Sequence, residues 1–124
     1  FQHYPQWNEF CPSIEAALEV GSPVKMQVNL GNGLQEQVEY ITFIDAPAKI
    51  TWSMENKDGD PIHADRSQVI TAVSDTQCTY VTYDDFSGDF AATMVDQMGE
   101  QVRAGFNLCA RNLKARAEAI YKAS

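Results

Sequence analysis

From Ile14 to Phe86 the chain alternates apolar and polar residues, and beyond Gly88 the apolar residues recur at steps of three and four. A period of two marks a half-buried strand, and a period near 3.6 an amphipathic helix. Ile14, Ala16, Leu18 and Val20 predict a first strand, closed by Gly21-Ser22-Pro23. Val24, Met26, Val28 and Leu30, alternating with Lys25, Gln27 and Asn29, predict a second. Gly31-Asn32-Gly33 follows as a hairpin turn, where positive φ costs glycine little. Further strands are expected at about 34–44, 49–55, 62–73 and 77–86. They are separated by Ala46-Pro47-Ala48, by the turn-forming residues 56–61 and by Ser74-Asp75. Ahead of the first strand, Pro5 and Pro12 interrupt a polar-aromatic stretch suited to a short helical turn or loop.

The last segment reads as one helix. Val95, Met98, Val102, Phe106, Cys109, Leu113, Ala117 and Ile120 form a single apolar stripe from about Asp89 to Lys122. Gly99 and Gly105 inside it each cost up to about 1 kcal/mol of helix propensity, which points to a close approach or a bend. Six strands followed by one long helix make an α+β domain, with the helix laid across one face of a curved antiparallel sheet. Side chains cannot fill such an interior completely, so an apolar cavity is expected between sheet and helix.

Composition narrows the function classes. The chain has 124 residues, 44% of them hydrophobic, and a formal net charge of -8. That supports one packed core and not two. The acidic balance argues against a phosphate-backbone binder, which needs a basic footprint. Five of the nine positive charges, Arg103, Arg111, Lys114, Arg116 and Lys122, gather on the helix. No stretch of the sequence is apolar for long enough to span a membrane. Cys11, Cys78 and Cys109 are odd in number and lack metal-ligand spacing. They read as small buried hydrophobes in a reducing, cytoplasmic setting. His3 has no partner at a metal-binding spacing, residues 56–61 lack the spacing of a calcium loop, and no nucleotide-binding or nucleophile-elbow motif is present. Neither a metal nor another cofactor is implied.

Several short segments, taken in order, carry a resemblance. Tyr4-Pro5-x-Trp7-Asn8-x-Phe10 comes first, then the Trp52-bearing strand after Pro47, then the strand through His63 and Arg66. Asp85-Phe86-Ser87-Gly88 leads into the helix, which carries Gly105-Phe106 and Leu113-Lys114-Ala115-Arg116-Ala117-Glu118. Together they resemble the SRPBCC superfamily, the START/polyketide-cyclase-like group with the helix-grip fold. The resemblance implies a first strand and two short helices before six strands and the terminal helix. On that pattern the chain, which opens at Phe1 without a methionine, lacks the N-terminal strand and most of the first helix. A sheet missing that strand would expose backbone at its edge. The resemblance also implies a cavity for a hydrophobic small molecule, lipid or polyketide-like. An alternative is cofactor-independent cyclisation or dehydration of a polyketide in the same cavity. A homodimer is among the expected states.

The family has no single catalytic motif, so candidate residues rest on local arguments. Arg66 is the charged candidate for catalysis and binding. One register points it into the cavity, to hold a carbonyl, enolate or carboxylate oxygen, and the other points it to solvent beside Asp65. Tyr80 is the second catalytic candidate, as a hydrogen-bond donor. Tyr80 and Tyr83 have opposite parity, so a regular strand turns one inward at most. Trp7, Tyr40, Trp52, Met54, Met98, Val102 and Phe106 complete the expected ligand-binding set. His63 has the parity opposite to Arg66 and reads as exposed. Asp84 and Asp85 point to opposite faces, and read as turn and helix-start residues rather than as an acid/base pair. Asn8 reads as a local cap.

Overall fold

The computed structural model describes residues 2–31, 33–55 and 62–123. A one-turn helix α1 (Tyr4–Trp7) precedes strands β1 (Ser13–Glu15), β2 (Pro23–Asn29), β3 (Leu34–Asp45), β4 (Lys49–Ser53), β5 (His63–Ser74) and β6 (Gln77–Ser87). Helix α2 (Ala91–Ala123) ends the chain. The strands form one sheet in the order β1-β2-β3-β4-β5-β6, every neighbour antiparallel. The domain is therefore α+β, a six-stranded meander with a long helix, as the change of period predicts. The expected turn and the discounted calcium loop at 56–61 lie outside the described residues, as does Asn32 of the first hairpin.

β2 shows how the pattern becomes structure. Val24, Met26 and Val28 are buried and every residue between them is exposed. They meet Phe10, Cys11, Ile41, Trp52 and Cys109 in the core. Gly88, at φ 98°, ends β6 in the left-handed region that glycine enters without strain. The 33 residues of α2 then run about 50 Å.

The first strand is shorter than its alternation suggests. Only Ser13–Glu15 pair with β2. Residues 17–22 turn instead, with Glu19 N–H donating to the Ala17 carbonyl and Ser22 N–H to that of Glu19. Leu18 and Val20, the expected inward residues, are exposed. The helical stripe is also shorter than expected. Burial on α2 centres on Gly105 and Cys109, with Phe106 half-buried between them, while Val95, Ala117 and Ile120 at the two ends lie exposed. Cys11 and Cys109 are buried, but Cys78 is exposed near the β5–β6 turn, contrary to its expected burial.

Gly105 explains itself. A Cβ placed on it would overlap the Phe10 ring, so only a glycine lets α2 approach the segment after α1 this closely. Phe10 in turn packs edge-on to Phe106, with ring centroids 5.5 Å apart. Gly105→Ala would gain about 1 kcal/mol of helix propensity. The overlap outweighs it, because overpacking a rigid ring against a helix costs roughly 1–3 kcal/mol. Urea unfolding should therefore show the variant less stable than wild type, and an increase would refute the close-approach role.

Candidate functional site

A cavity of about 390 Å³ lies between the sheet and α2. Met26 and Val28 of β2, Trp52 of β4 and Ala64 of β5 wall it on the sheet side. Met94, Met98, Val102 and Phe106 wall it from the helix, and Phe10 closes one side. Four polar residues join this wall: Gln37 and Glu39 of β3, Arg66 of β5 and Asp84 of β6. The volume is that of a small-molecule site, and a mostly apolar lining with a few convergent polar groups is its usual chemistry.

Arg66 is the centre of the polar end. Strand pairing places Trp52, Arg66 and Asp84 in one cross-strand row on the inner face. Arg66 is 6% exposed, which excludes the solvent-facing register. Its guanidinium lies 4.3 Å from the centroid of Phe106 and 5.4 Å from those of Phe10 and Trp52. Three ring faces thus hold the charge that water has lost. Nε donates to Thr82 Oγ1 at 3.1 Å, and Nη2 to the Cys109 sulfur at 3.9 Å. A guanidinium has five N–H donors. The other three find no acceptor among the described residues, and no carboxylate there forms an ion pair with it.

Behind Arg66 lies a second polar layer. The Cys109 sulfur also lies 3.6 Å from Asn8 Nδ2 and 3.9 Å from Tyr80 Oη. Tyr80 donates to Gln68 Oε1 at 2.5 Å. Burial pushes the hydroxyls of Tyr80 and Tyr4 up, in Tyr4 to about 12, and the Cys11 thiol to about 11. Asn8 follows α1 and accepts from Cys11 N–H at 3.0 Å, the local capping role expected of it.

The expected site residues divide. Trp52, Met54, Arg66, Met98, Val102 and Phe106 line the cavity. Trp7, Tyr40 and Tyr80 are not among the lining residues. Trp7 packs edge-on to Tyr4, 4.9 Å between centroids, at the core margin. Tyr40 pairs with Ser53, one residue out of step with the inward Ile41–Trp52 pair, so it stands on the outer face. Tyr80 points inward but behind Arg66, its hydroxyl engaged by Gln68, while Tyr83 is exposed. Asp84, expected as a turn residue, lies on the cavity wall two strand positions beyond Thr82, and Asp85 faces out.

Two carboxyls on this wall were missed by pattern: Glu39 was not singled out, and Asp84 was read as a turn residue. Burial pushes the Glu39 carboxyl up to about 7, assisted by the negative charges of Asp84 and Asp65 and opposed by Arg66. Burial pushes Asp84 up to about 6, opposed by Arg66 and assisted by Asp65. Both thus titrate near neutrality beside a fixed positive charge, a combination that clusters at functional sites. No group of His, Cys, Asp and Glu among the described residues is arranged to hold a metal ion. None of the described helices is long and apolar enough to cross a membrane. Compared with protein-family models, curated proteins and solved structures, the chain matches none.

Proposed function

We propose that this chain is a helix-grip domain of the SRPBCC type that binds a hydrophobic small molecule, lipid or polyketide-like, in the cavity between sheet and helix. One observation carries the reading: a buried arginine on the wall of a mostly apolar cavity keeps three N–H donors that find no acceptor among the described residues. Burying a charge in that state is costly, and an oxygen-bearing ligand head would supply what the donors lack. The ligand class is therefore an apolar body ending in a carbonyl, enolate or carboxylate.

The test is a fluorescence titration with 1-anilinonaphthalene-8-sulfonate at pH 6, an aromatic anion matching both features. Saturable binding with one site per chain is expected, displaced by decanoate. Val102→Trp fills the cavity from the helix side and should weaken binding at least tenfold while unfolding stays cooperative. Absence of saturable binding, or wild-type affinity in the Trp variant, would sink the proposal.

The cyclase or dehydratase reading needs groups that move protons at a carbonyl. Tyr80 is a poor candidate, since its hydroxyl is held by Gln68 behind Arg66 and burial opposes its ionisation. Glu39 and Asp84 are what favours that reading.

A further inference from the structure

Two carboxyls and an arginine converge on one end of an apolar cavity, and the binding reading uses only the arginine. Asp84 is paired with Arg66 across β5 and β6, so both side chains project from neighbouring positions of one inner-face row. Glu39 lies on β3, two residues from the inward Ile41, on a different wall. Three strand spacings of about 4.8 Å separate β3 from β6 along the sheet, and both carboxyls line the one cavity. Separated carboxyls flanking a bound molecule can take opposite roles, one as acid and one as base.

We infer that this end of the cavity is a site of cofactor-independent proton transfer at carbon, in which Asp84 is the base and Glu39 the acid toward a hydrophobic ketone held by Arg66. The inference rests on the binding reading and goes beyond it by assigning an activity and two catalytic residues. The step balances without an oxidant or a second substrate. The Asp84 carboxylate takes a proton from the carbon next to the carbonyl. The C–H electron pair becomes the new C=C bond, and the carbonyl π pair moves to oxygen. Arg66 N–H groups stabilise that oxygen while the Glu39 carboxylic acid protonates it, giving the enol and leaving Glu39 ionised. Reversal returns the ketone.

The roles follow from the surroundings. Burial raises both carboxyls, and Arg66 opposes and Asp65 assists the shift in each. Asp84 is the one paired directly with Arg66 across the strands, while Glu39 also feels the charge of Asp84 and retains its proton longer. From α2 the cavity receives Met94, Met98, Val102 and Phe106, from β2 Met26 and Val28, and from β4 Trp52, none of them titratable. Cys109 on α2 and Tyr80 on β6 stand behind Arg66. The rate should therefore rise as Asp84 ionises near pH 6 and fall as Glu39 ionises near pH 7.

Hydrogen–deuterium exchange of 2-tetralone in D2O, followed by proton NMR, tests this. Carboxyl protons swap with solvent, so each reversal at carbon delivers deuterium. Exchange about a hundredfold or more above buffer is expected, a usual size for positioned acid–base catalysis. Asp84→Asn and Glu39→Gln should each fall to within about tenfold of the buffer rate while still binding the anilinonaphthalene probe. Val102→Trp should lose exchange and binding together. If 2-tetralone displaces the probe but exchanges at the buffer rate, proton transfer is refuted and binding stands. If both carboxyl variants exchange at the wild-type rate, the assignment is wrong. If no probe binds at all, the binding reading fails first and takes this inference with it.

Discussion

Arg66→Met weakens decanoate binding at pH 6 by about ten- to a hundredfold and leaves the fold at least as stable as wild type. The affinity loss corresponds to a charge-assisted hydrogen bond, about 1.5–3 kcal/mol. The stability result is the more telling half. Removing one member of a buried ion pair is normally destabilising because it strands the other charge. Arg66 forms no ion pair with a carboxylate among the described residues, so its removal breaks none, and Asp84 and Glu39, which lose a neighbouring positive charge, can answer by holding their protons. Thr82 still donates to the Ser67 carbonyl at 3.0 Å, and Asn8 still approaches Cys109. Methionine fills much of the same volume and suits the aromatic cage of Phe10, Trp52 and Phe106. The desolvation of the guanidinium disappears with it, so urea unfolding should show no loss. Binding of 1-decanol, which has the same chain length but no charge, should change by less than threefold. A variant that unfolds more easily and loses decanoate and 1-decanol equally would make Arg66 a structural residue and remove the main support for a ligand head at this end.

The meander and the helix were legible because their periods differ and Gly88 stands at the switch. The close approach at Gly105 was legible too, as a glycine retained where helix propensity disfavours it. Three things were hidden. Residues 17–22 alternate like a strand, yet Glu19 and Ser22 donate back within the segment and only Gly21 and Ser22 reach β3, at Ile41, and composition does not distinguish the two. The pairing of β3 with β4 shifts register between Ile41 and Phe43, so parity counted through residue 42 fails. Tyr40 lies on the regular side of that shift, but a strand whose two faces are both mixed gives no anchor for its register. Glu39 sits in the run Gln35-Glu36-Gln37-Val38-Glu39, which reads as a solvent face. In the fold, Gln37 faces the buried Met26 across β2 and Glu39 faces Val24. Polar residues on an inner face look like surface until the cavity that accepts them is seen. Asp84 shows the limit of parity. Alternation separated Asp84 from Asp85, but only the pairing of Arg66 with Asp84 showed which one turns inward.

Raising the pH from 4 to 8 destabilises the wild-type fold through Glu39 and Asp84, and Glu39→Gln removes much of that loss. The sign follows from the direction of the shifts. Glu39 titrates near 4.5 when unfolded and near 7 when folded, and Asp84 near 3.8 and near 6. Between those values the folded chain holds protons that the unfolded chain has released, so stability falls with rising pH. The contribution is fully present below the unfolded values and is lost as the pH climbs through the folded ones. One pKa unit corresponds to about 1.4 kcal/mol, and with partial solvent access the loss from Glu39 is on the order of 2 kcal/mol. Urea unfolding at pH 8 should therefore find Glu39→Gln more stable than wild type by roughly that amount, with the two nearly equal at pH 4. A variant no more stable at pH 8 would mean that Glu39 ionises freely and is not held against the apolar wall. The same substitution should bring ketone exchange to within about tenfold of the buffer rate while it stabilises the fold. A carboxyl kept in a position where its ionised form destabilises the protein is the trade-off expected of a group retained for its chemistry rather than for its packing.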